Sequence, residues 1–195
     1  MKKSLLCLLL ASLLALPVLA DDEIRLPAPQ KSGGMPLLEA LNARKTSRRT
    51  TGEPPTLQQL ADVLWAANGV TRADGKRTAP SAMNRQEIEI AVLTRDGLYE
   101  WDADDNELDR SDTTIDLSDQ LNGASMMLIF TYDDDDQTPA YAQVDCGFVG
   151  QNVYLFCTSK GWNCVFLGSI DRAKLARALD CREGEVLYGM RIGIR

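Results

Sequence analysis

The chain contains no histidine, and this absence excludes several familiar kinds of active site. Catalysis by a serine or cysteine that histidine activates is ruled out, and so are metal centres with histidine ligands. An enzyme built from these 195 residues must therefore use a cofactor, carboxylates, lysine, tyrosine or cysteine. A cofactor that performs its own chemistry fits this restriction better than a hydrolytic mechanism does.

The chain also lacks an excess of positive charge. Its 21 Lys and Arg residues face 28 Asp and Glu residues, which gives a net charge of −7. Such an acidic surface argues against nucleic acid and against anionic membranes as partners. With 45% hydrophobic and 25% charged residues, the composition is that of an ordinary globular protein, and the length favours one domain.

Long apolar runs are absent except at the N-terminus. Lys2 and Lys3 precede an apolar run from Leu5 to Val18. Val18 and Ala20 are small residues at the two positions that a signal peptidase recognises. The pattern predicts a Sec-type signal peptide over residues 1–20 and export to the periplasm or the medium. Its removal leaves 19 basic and 28 acidic residues in the expected domain, 21–195. No later run approaches the ~20 residues of a membrane span, so no membrane insertion of the mature chain is expected.

Four cysteines remain after the leader, and an exported compartment permits disulfides. They are Cys146, Cys157, Cys164 and Cys181. Cys146 and Cys157 lie on one predicted helix about 16 Å apart, too far for a bond. Two of the three full pairings stay open. The alternative, which we favour, is that most of these residues are buried thiols that fill the core.

Hydrophobic periodicity predicts helices and strands without a clean βαβ repeat, which favours an α+β fold. The predicted helices span residues 35–44, 56–68, 139–161 and 171–179. The predicted strands span residues 88–93, 97–101, 126–132, 163–167 and 186–194. Residues 21–34 are interpreted as an irregular polar lead-in.

Two acidic stretches are interpreted as solvated loops rather than metal sites. Residues 102–106 (Asp-Ala-Asp-Asp-Asn) begin like a calcium-binding loop but lack its glycine and its closing glutamate. The run 133–136 consists of four aspartates, and a charge run of this kind is usually a solvated loop.

A cluster of cations follows the first predicted helix. It comprises Arg44, Lys45, Arg48 and Arg49, interleaved with the hydroxyls of Thr46 and Ser47. Several donors and local positive charge suit a dianionic phosphate. Cations also stabilise the C-terminal end of a helix, so a solvated helix cap is the alternative. Four cations in six residues exceed what a cap needs.

A second segment, 79–86, reads Ala-Pro-Ser-Ala-Met-Asn-Arg-Gln. The Pro-Ser turn and small residues permit close backbone approach, and the carboxamides offer directed hydrogen bonds. This combination suits a flat heteroaromatic ring. Together the two segments predict a bound nucleotide-like cofactor.

Both segments resemble the flavin-binding motifs of the nitroreductase family, whose members are FMN-dependent oxidoreductases. A third stretch, from Gly147 to Leu155 and on through Trp162 to Gly168, is similar to the family's long central helix and the strand after it. The resemblance runs from about Pro27 to the C-terminus. It favours secreted single-domain members allied to the branch that includes the peptide azoline dehydrogenases. The Lys-Tyr pair associated with azoline oxidation has no counterpart here, which argues against peptide maturation.

The resemblance implies a central mixed or antiparallel sheet flanked by helices, in a homodimer that binds FMN at its interface. Residues implied to hold the phosphate and ribityl chain are Arg44, Lys45, Thr46 and Arg48. Residues implied to line the flavin, from the other subunit, are Pro80, Ser81, Ala82, Met83 and Asn84. Residues implied to lie against the ring are Val165, Leu167 and Gly168. Weaker candidates are Gln86 and Gln151, as amides near the flavin, and Arg191 or Arg195, as further phosphate ligands.

The implied activity is ping-pong electron transfer, in which a donor reduces FMN and leaves before an acceptor binds. The acceptor is expected to be an electron-poor small molecule, such as a nitro compound or a quinone. No side chain is needed as the catalyst, so none is assigned, and no metal is expected. The alternative is a non-catalytic secreted protein that retains the fold for ligand binding or a structural role.

Overall fold

The computed structural model describes residues 23–132 and 139–194, and within them seven strands form one sheet. The strands are β1 (Glu23–Arg25), β2 (Ile88–Leu93), β3 (Leu98–Asp102), β4 (Glu107–Arg110), β5 (Met126–Tyr132), β6 (Asn163–Leu167) and β7 (Val186–Gly193). Their order across the sheet is β1-β4-β3-β2-β5-β7-β6, and every neighbouring pair is antiparallel. The expected α+β fold with a central antiparallel sheet is confirmed.

Helices cover both faces of this sheet. They are α1 (Leu37–Ala43), α2 (Leu57–Asn68), α3 (Ser118–Leu121), α4 (Pro139–Lys160) and α5 (Arg172–Ala178). Side chains of α2 and α4 pack on one face, which we call the α4 face, and those of α3 and α5 pack on the other, the α5 face. The helix starts agree with the sequence signals, since Thr56 and Gln59 form a capping box and Asp171 accepts the Lys174 N–H at 2.9 Å.

The interior strand β5, which lies between β2 and β7, shows that the sheet is buried on both sides. Leu128 and Phe130 point to the α4 face, whereas Met127 and Ile129 point to the α5 face. All four side chains are fully buried. Successive strand residues alternate between faces, so a continuous apolar run such as this one predicts a strand covered by helices on both sides.

The long helix α4 presents two different faces. Cys146, Val149, Val153 and Cys157 recur at helical spacing, are buried, and belong to the core of the α4 face. On other sides of the helix, residues such as Phe148 remain exposed. None of the described helices combines the length and the apolar character needed to cross a lipid bilayer.

Two short strands escape prediction. The lead-in contains β1, which pairs with β4, and neither strand carries the period-2 apolar pattern that predicts strands. Residues 102–106 form the turn between β3 and β4, where the Asp102 carboxylate accepts the N–H groups of Asp104 and Asp105 at 2.7 and 3.0 Å. The predicted signal peptide, the loop 133–136 and Arg195 lie outside the described residues.

Candidate functional site

The cationic segment, residues 44–49, lies along the edge strand β6. Helix α1 ends just before it, with the Arg44 N–H bonded to the Ala40 carbonyl at 2.9 Å. The Ser47 N–H then donates to the Cys164 carbonyl at 2.9 Å, and the Asn163 carboxamide donates to the Arg49 carbonyl at 2.8 Å. The segment therefore continues past the helix as an extended chain that two hydrogen bonds hold against the sheet.

Tyr154 of α4 connects this segment to β6. Its hydroxyl lies 3.0 Å from the Thr46 hydroxyl and accepts the Phe166 N–H at 3.0 Å. The Arg44 guanidinium stacks over its ring at 5.3 Å from the centroid, a favourable cation–π geometry. Sequence reasoning missed Tyr154 as a site residue, because no local pattern shows that a helical tyrosine will meet residues 12 and 108 positions away.

The cations of this segment have no acidic partners among the described residues. Within 23–132 and 139–194, no carboxylate forms an ion pair with Arg44, Lys45, Arg48 or Arg49. Lys45, Arg48 and Arg49 are exposed. A helix cap does not explain them, because they continue away from the helix and its dipole acts only near the last turn. Four cations that no described carboxylate pairs with, in a chain of net charge −7, form a site suited to an anion.

The second segment forms a strained turn. Residues Ala82–Asn84 make a single 3₁₀ turn in which Met83 and Asn84 have φ angles of 52° and 56°. Left-handed backbone is uncommon for residues other than glycine, and such strain concentrates at ligand sites. The Met83 side chain is 71% exposed, so the turn presents its tip outward rather than packing it into the core.

Asp145 of α4 holds this turn in place. The residue is 2% exposed, and its carboxylate accepts the Ala82 N–H at 2.7 Å. The Ser81 hydroxyl accepts the Gln86 N–H at 2.9 Å and closes the turn from inside. Asp145 is a second site residue that sequence reasoning missed, because it lies 63 positions from its partner.

Glu87 lies beside Asp145 and shares its environment. Burial raises the pKa of Glu87, the Asp145 carboxyl group raises it further, and a backbone hydrogen bond and Arg85 oppose the shift. The Glu87 Oε2 atom is buried, and the described residues offer it no donor. Two ionised carboxylates cannot hydrogen-bond to each other, and the raised pKa of Glu87 favours the protonated form that could donate to Asp145.

The third implied contact region is the end of β6. Cys164 and Phe166 face the α4 side, so by strand alternation the buried Val165 side chain points to the opposite side. On the α4 side, a ligand could therefore contact Val165 only through its backbone. Leu167 is half-buried and Gly168 is exposed, so both are accessible at the strand end.

Three of the weaker candidates lie among the described residues. The Gln86 amide accepts the Arg77 side-chain N–H at 3.0 Å and donates to Asn84 at 3.3 Å, as a structural amide does. Gln151 is exposed on α4. The Arg191 guanidinium donates to the Gln120 carbonyl at 2.6 Å beside α3. This places it on the α5 face, away from the cationic segment.

Both principal segments attach to α4, but at different points. Tyr154 and Asp145 are nine residues apart, which corresponds to about 13.5 Å along a helix axis. Nine residues are also two and a half helical turns, so the two side chains leave α4 on opposite sides. Within one protomer the cationic segment and the strained turn therefore do not close on each other. A cavity of about 710 Å³ between the β2–β3 turn and residues 110–123 contains no residue of either segment.

The described residues define an α+β protein with an anion-suited segment at one edge of its sheet, and comparison with known proteins identifies the family. Residues 41–194 match the model of the nitroreductase family, so the chain belongs to that family. A candidate nitroreductase of Methanocaldococcus jannaschii is 27% identical over 187 residues, covering 85% of this chain and 93% of its own.

Solved structures agree with this assignment. A candidate nitroreductase from Ralstonia eutropha JMP134 superposes with a TM-score of 0.79 at 30% identity, covering 89% of both chains. A candidate nitroreductase from Desulfovibrio desulfuricans, crystallised with FMN, has a TM-score of 0.58 at 19% identity. The alignment covers 83% of this chain and 87% of that one, and it shows a shared fold.

Proposed function

We propose that the protein is an exported FMN-dependent oxidoreductase. The observation that carries this proposal is the cationic segment. It holds four cations that have no acidic partner among the described residues, and Tyr154 fixes it to β6. Family membership supports it, and so does FMN in the crystal structure of the Desulfovibrio relative. A Vibrio harveyi protein of similar fold, described as an NADPH:FMN oxidoreductase, was crystallised with NAD⁺.

The donor set fits FMN. Arg44, Lys45 and Arg48 would hold the phosphate through charge-assisted hydrogen bonds, and Thr46 would contact the ribityl chain. When bound, FMN supplies reversible two-electron transfer. The chain would bind and orient the cofactor and exclude water from it, with the backbone of Val165, Leu167 and Gly168 lying against the ring. A backbone N–H at that strand end would stabilise negative charge that develops on reduction.

The second half of the site would come from a second copy of the chain. Large apolar side chains on α1, on α4 and at the turn tip are exposed, namely Leu37, Leu38, Leu41, Tyr141, Val144, Phe148 and Met83. Monomers seldom expose so many large apolar residues on neighbouring elements. In a homodimer that buries them, the partner's segment from Pro80 to Asn84 would cover the ring held by the cationic segment.

Gly147 supports close approach of two copies through α4. A Cβ atom at Gly147 would meet nothing within 4 Å, and the residue is exposed in the middle of the helix. Glycine destabilises a helix interior by about 1 kcal/mol relative to alanine, so its position on an open face suits contact with another backbone. Light scattering of the purified protein should therefore give twice the mass of the mature chain.

We further propose that donor and acceptor bind in turn to one cleft over the ring, and that the acceptor is an electron-poor small molecule. The apolar leader at residues 1–20 supports export to the periplasm or medium. The same feature supports membership in the secreted single-domain branch allied to the azoline dehydrogenases.

The test is an absorption spectrum of the mature protein before and after addition of FMN. We expect a yellow protein whose colour dithionite bleaches and nitro compounds or quinones restore.

Arg44→Ala combined with Arg48→Ala should weaken FMN binding at least tenfold, because charge-assisted hydrogen bonds contribute about 1.5–3 kcal/mol each. The matched control is Arg72→Ala with Lys76→Ala, an exposed pair on another loop. A colourless protein without FMN affinity would contradict the proposal, and bound FMN that no acceptor reoxidises would indicate a non-catalytic binding protein.

A further inference from the structure

Helix α4 and strand β6 meet at a tight reversal. Gly161 follows the helix with a φ of 71°, its N–H donates to the Thr158 carbonyl at 3.1 Å, and the Trp162 N–H donates to the Cys157 carbonyl at 2.8 Å. These two hydrogen bonds define a Schellman motif. The Trp162 ring packs edge-on against Phe156, with centroids 5.6 Å apart. The chain therefore leaves the helix and immediately returns along it as β6.

This reversal brings two cysteines together. Cys157 lies in the last turn of α4, and Cys164 is the second residue of β6. Their exposed fractions are 0% and 2%, and both belong to the core of the α4 face. Their thiols are hydrogen-bonding neighbours, and the structure contains them in the reduced form.

The other two cysteines are too far away to join either of these. Cys146 lies eleven residues before Cys157 on the same helix, which is about 16 Å, far beyond the span of a disulfide. Cys181 packs against the core of the α5 face, on the other side of the sheet. Of the disulfides that the sequence leaves open, the structure permits only the one between Cys157 and Cys164.

We propose that Cys157 and Cys164 form a disulfide in the exported protein. The inference rests on the proposed export, because the thiols would then fold in an oxidising compartment. Each thiol loses its proton, an S–S bond forms, and two electrons reduce the disulfide of a thiol–disulfide oxidant to a dithiol. The exchange takes place during folding, while the sulfur atoms are still accessible. Burial afterwards protects the bond from reductants.

The bond stabilises the corner that carries the candidate site. The Cys164 carbonyl accepts the Ser47 N–H of the cationic segment. Two residues further along β6, the Phe166 N–H donates to the Tyr154 hydroxyl. A cross-link between α4 and β6 at this point restrains both partners of the Tyr154 contacts. For a loop of this size in a chain of this length, oxidation should raise the unfolding midpoint by about 5–10 °C.

The experiment counts free thiols in the mature protein after refolding from the reduced, denatured state in a glutathione redox buffer. Free thiols are trapped with N-ethylmaleimide under denaturing conditions, and the mass is measured before and after reduction. We expect two labelled cysteines before reduction, Cys146 and Cys181, and four after it. Peptide mapping should find Cys157 linked to Cys164.

Variants locate the bond independently. Cys181→Ala should retain the linked peptide with one labelled thiol, whereas Cys157→Ala should give three labelled thiols and no linked peptide. Four labelled thiols in the refolded wild-type protein, or a link that includes Cys146 or Cys181, would overturn the proposal. The N-terminal mass of protein expressed with its leader measures export separately, so a failure of export and a failure of the disulfide are distinguishable.

Discussion

Replacing Tyr154 with phenylalanine removes one oxygen atom from the point where the cationic segment, α4 and β6 meet. In the native protein this oxygen accepts the Phe166 N–H and contacts the Thr46 hydroxyl, both at 3.0 Å. The phenylalanine ring keeps the stacking surface for Arg44. The substitution therefore separates the effect of the hydroxyl from the effect of the ring.

The magnitude follows from what each partner loses. Phe166 is half-buried, and a donor left without an acceptor costs about 1–3 kcal/mol. Thr46 is exposed, so water replaces its lost contact. We expect the free energy of unfolding to fall by about 1–2 kcal/mol, which lowers the melting temperature by about 3–6 °C in a chain of this length.

The affinity for FMN should fall as well. Without the Thr46 contact, the cationic segment must be ordered when the phosphate binds, and ordering one residue costs about 1–2 kcal/mol. A Kd about tenfold weaker is therefore expected. Flavin fluorescence quenching measures the Kd, and thermal denaturation measures the stability of the same preparations.

Tyr99→Phe is the matched control, because the Tyr99 ring also stacks with an arginine, Arg110 at 5.8 Å, and lies on β3 away from both segments. It should leave stability and affinity unchanged. If Tyr154→Phe matches this control in both measurements, the hydroxyl has no positioning role. If stability falls while the Kd stays unchanged, the hydroxyl supports the fold alone and the argument for a preorganised phosphate site fails.

Two further predictions follow from neighbouring residues of α4 and the strained turn. The pKa of Glu87 is raised, chiefly by burial and then by Asp145. Its protonation therefore stabilises the fold, fully so below the unfolded pKa of 4.5. This contribution is lost as pH rises through the native pKa. Glu87→Gln should flatten that decline in urea unfolding measured from pH 4 to 8, and parallel curves would contradict the shared proton. A Cβ atom at Gly150 would lie 2.6 Å from the Phe166 ring, so Gly150→Ala should destabilise by about 1–3 kcal/mol. Gly184→Ala, where a Cβ atom would meet nothing within 4 Å, is the control, and equal losses of stability would refute this account of Gly150.

The sequence was sufficient for the elements that have a strong local pattern. Apolar runs located β2, β5 and β6 at the ends that the structure gives them, and capping residues located the starts of α2 and α5. It was insufficient for β1 and β4, which are short, polar and paired with each other at the sheet edge. The pairing of β1 with β4 depends on backbone hydrogen bonds between segments more than 80 residues apart, and no side-chain period records such bonds.

The same distinction applies to the candidate site. The two candidate segments could be found from composition, because cations, hydroxyls and carboxamides cluster within a few residues of one another. The residues that position them could not. Tyr154 and Asp145 act on residues 108 and 63 positions away, and each occupies a helical position where a packing role is the default expectation from sequence.

Helix α1 carries an apolar pattern that the described part of the protomer does not bury. Leu37, Leu38 and Leu41 predict a buried face, yet the structure leaves them 63%, 78% and 46% exposed, and Ala40 is the buried residue of the helix. An apolar face is stable where it is removed from water, so a pattern that the protomer does not bury points to burial in an assembly. In the proposed dimer, the hydrophobic effect that closes the interface would also bring one copy's strained turn to the other copy's cationic segment. Assembly and cofactor binding would then depend on the same surface.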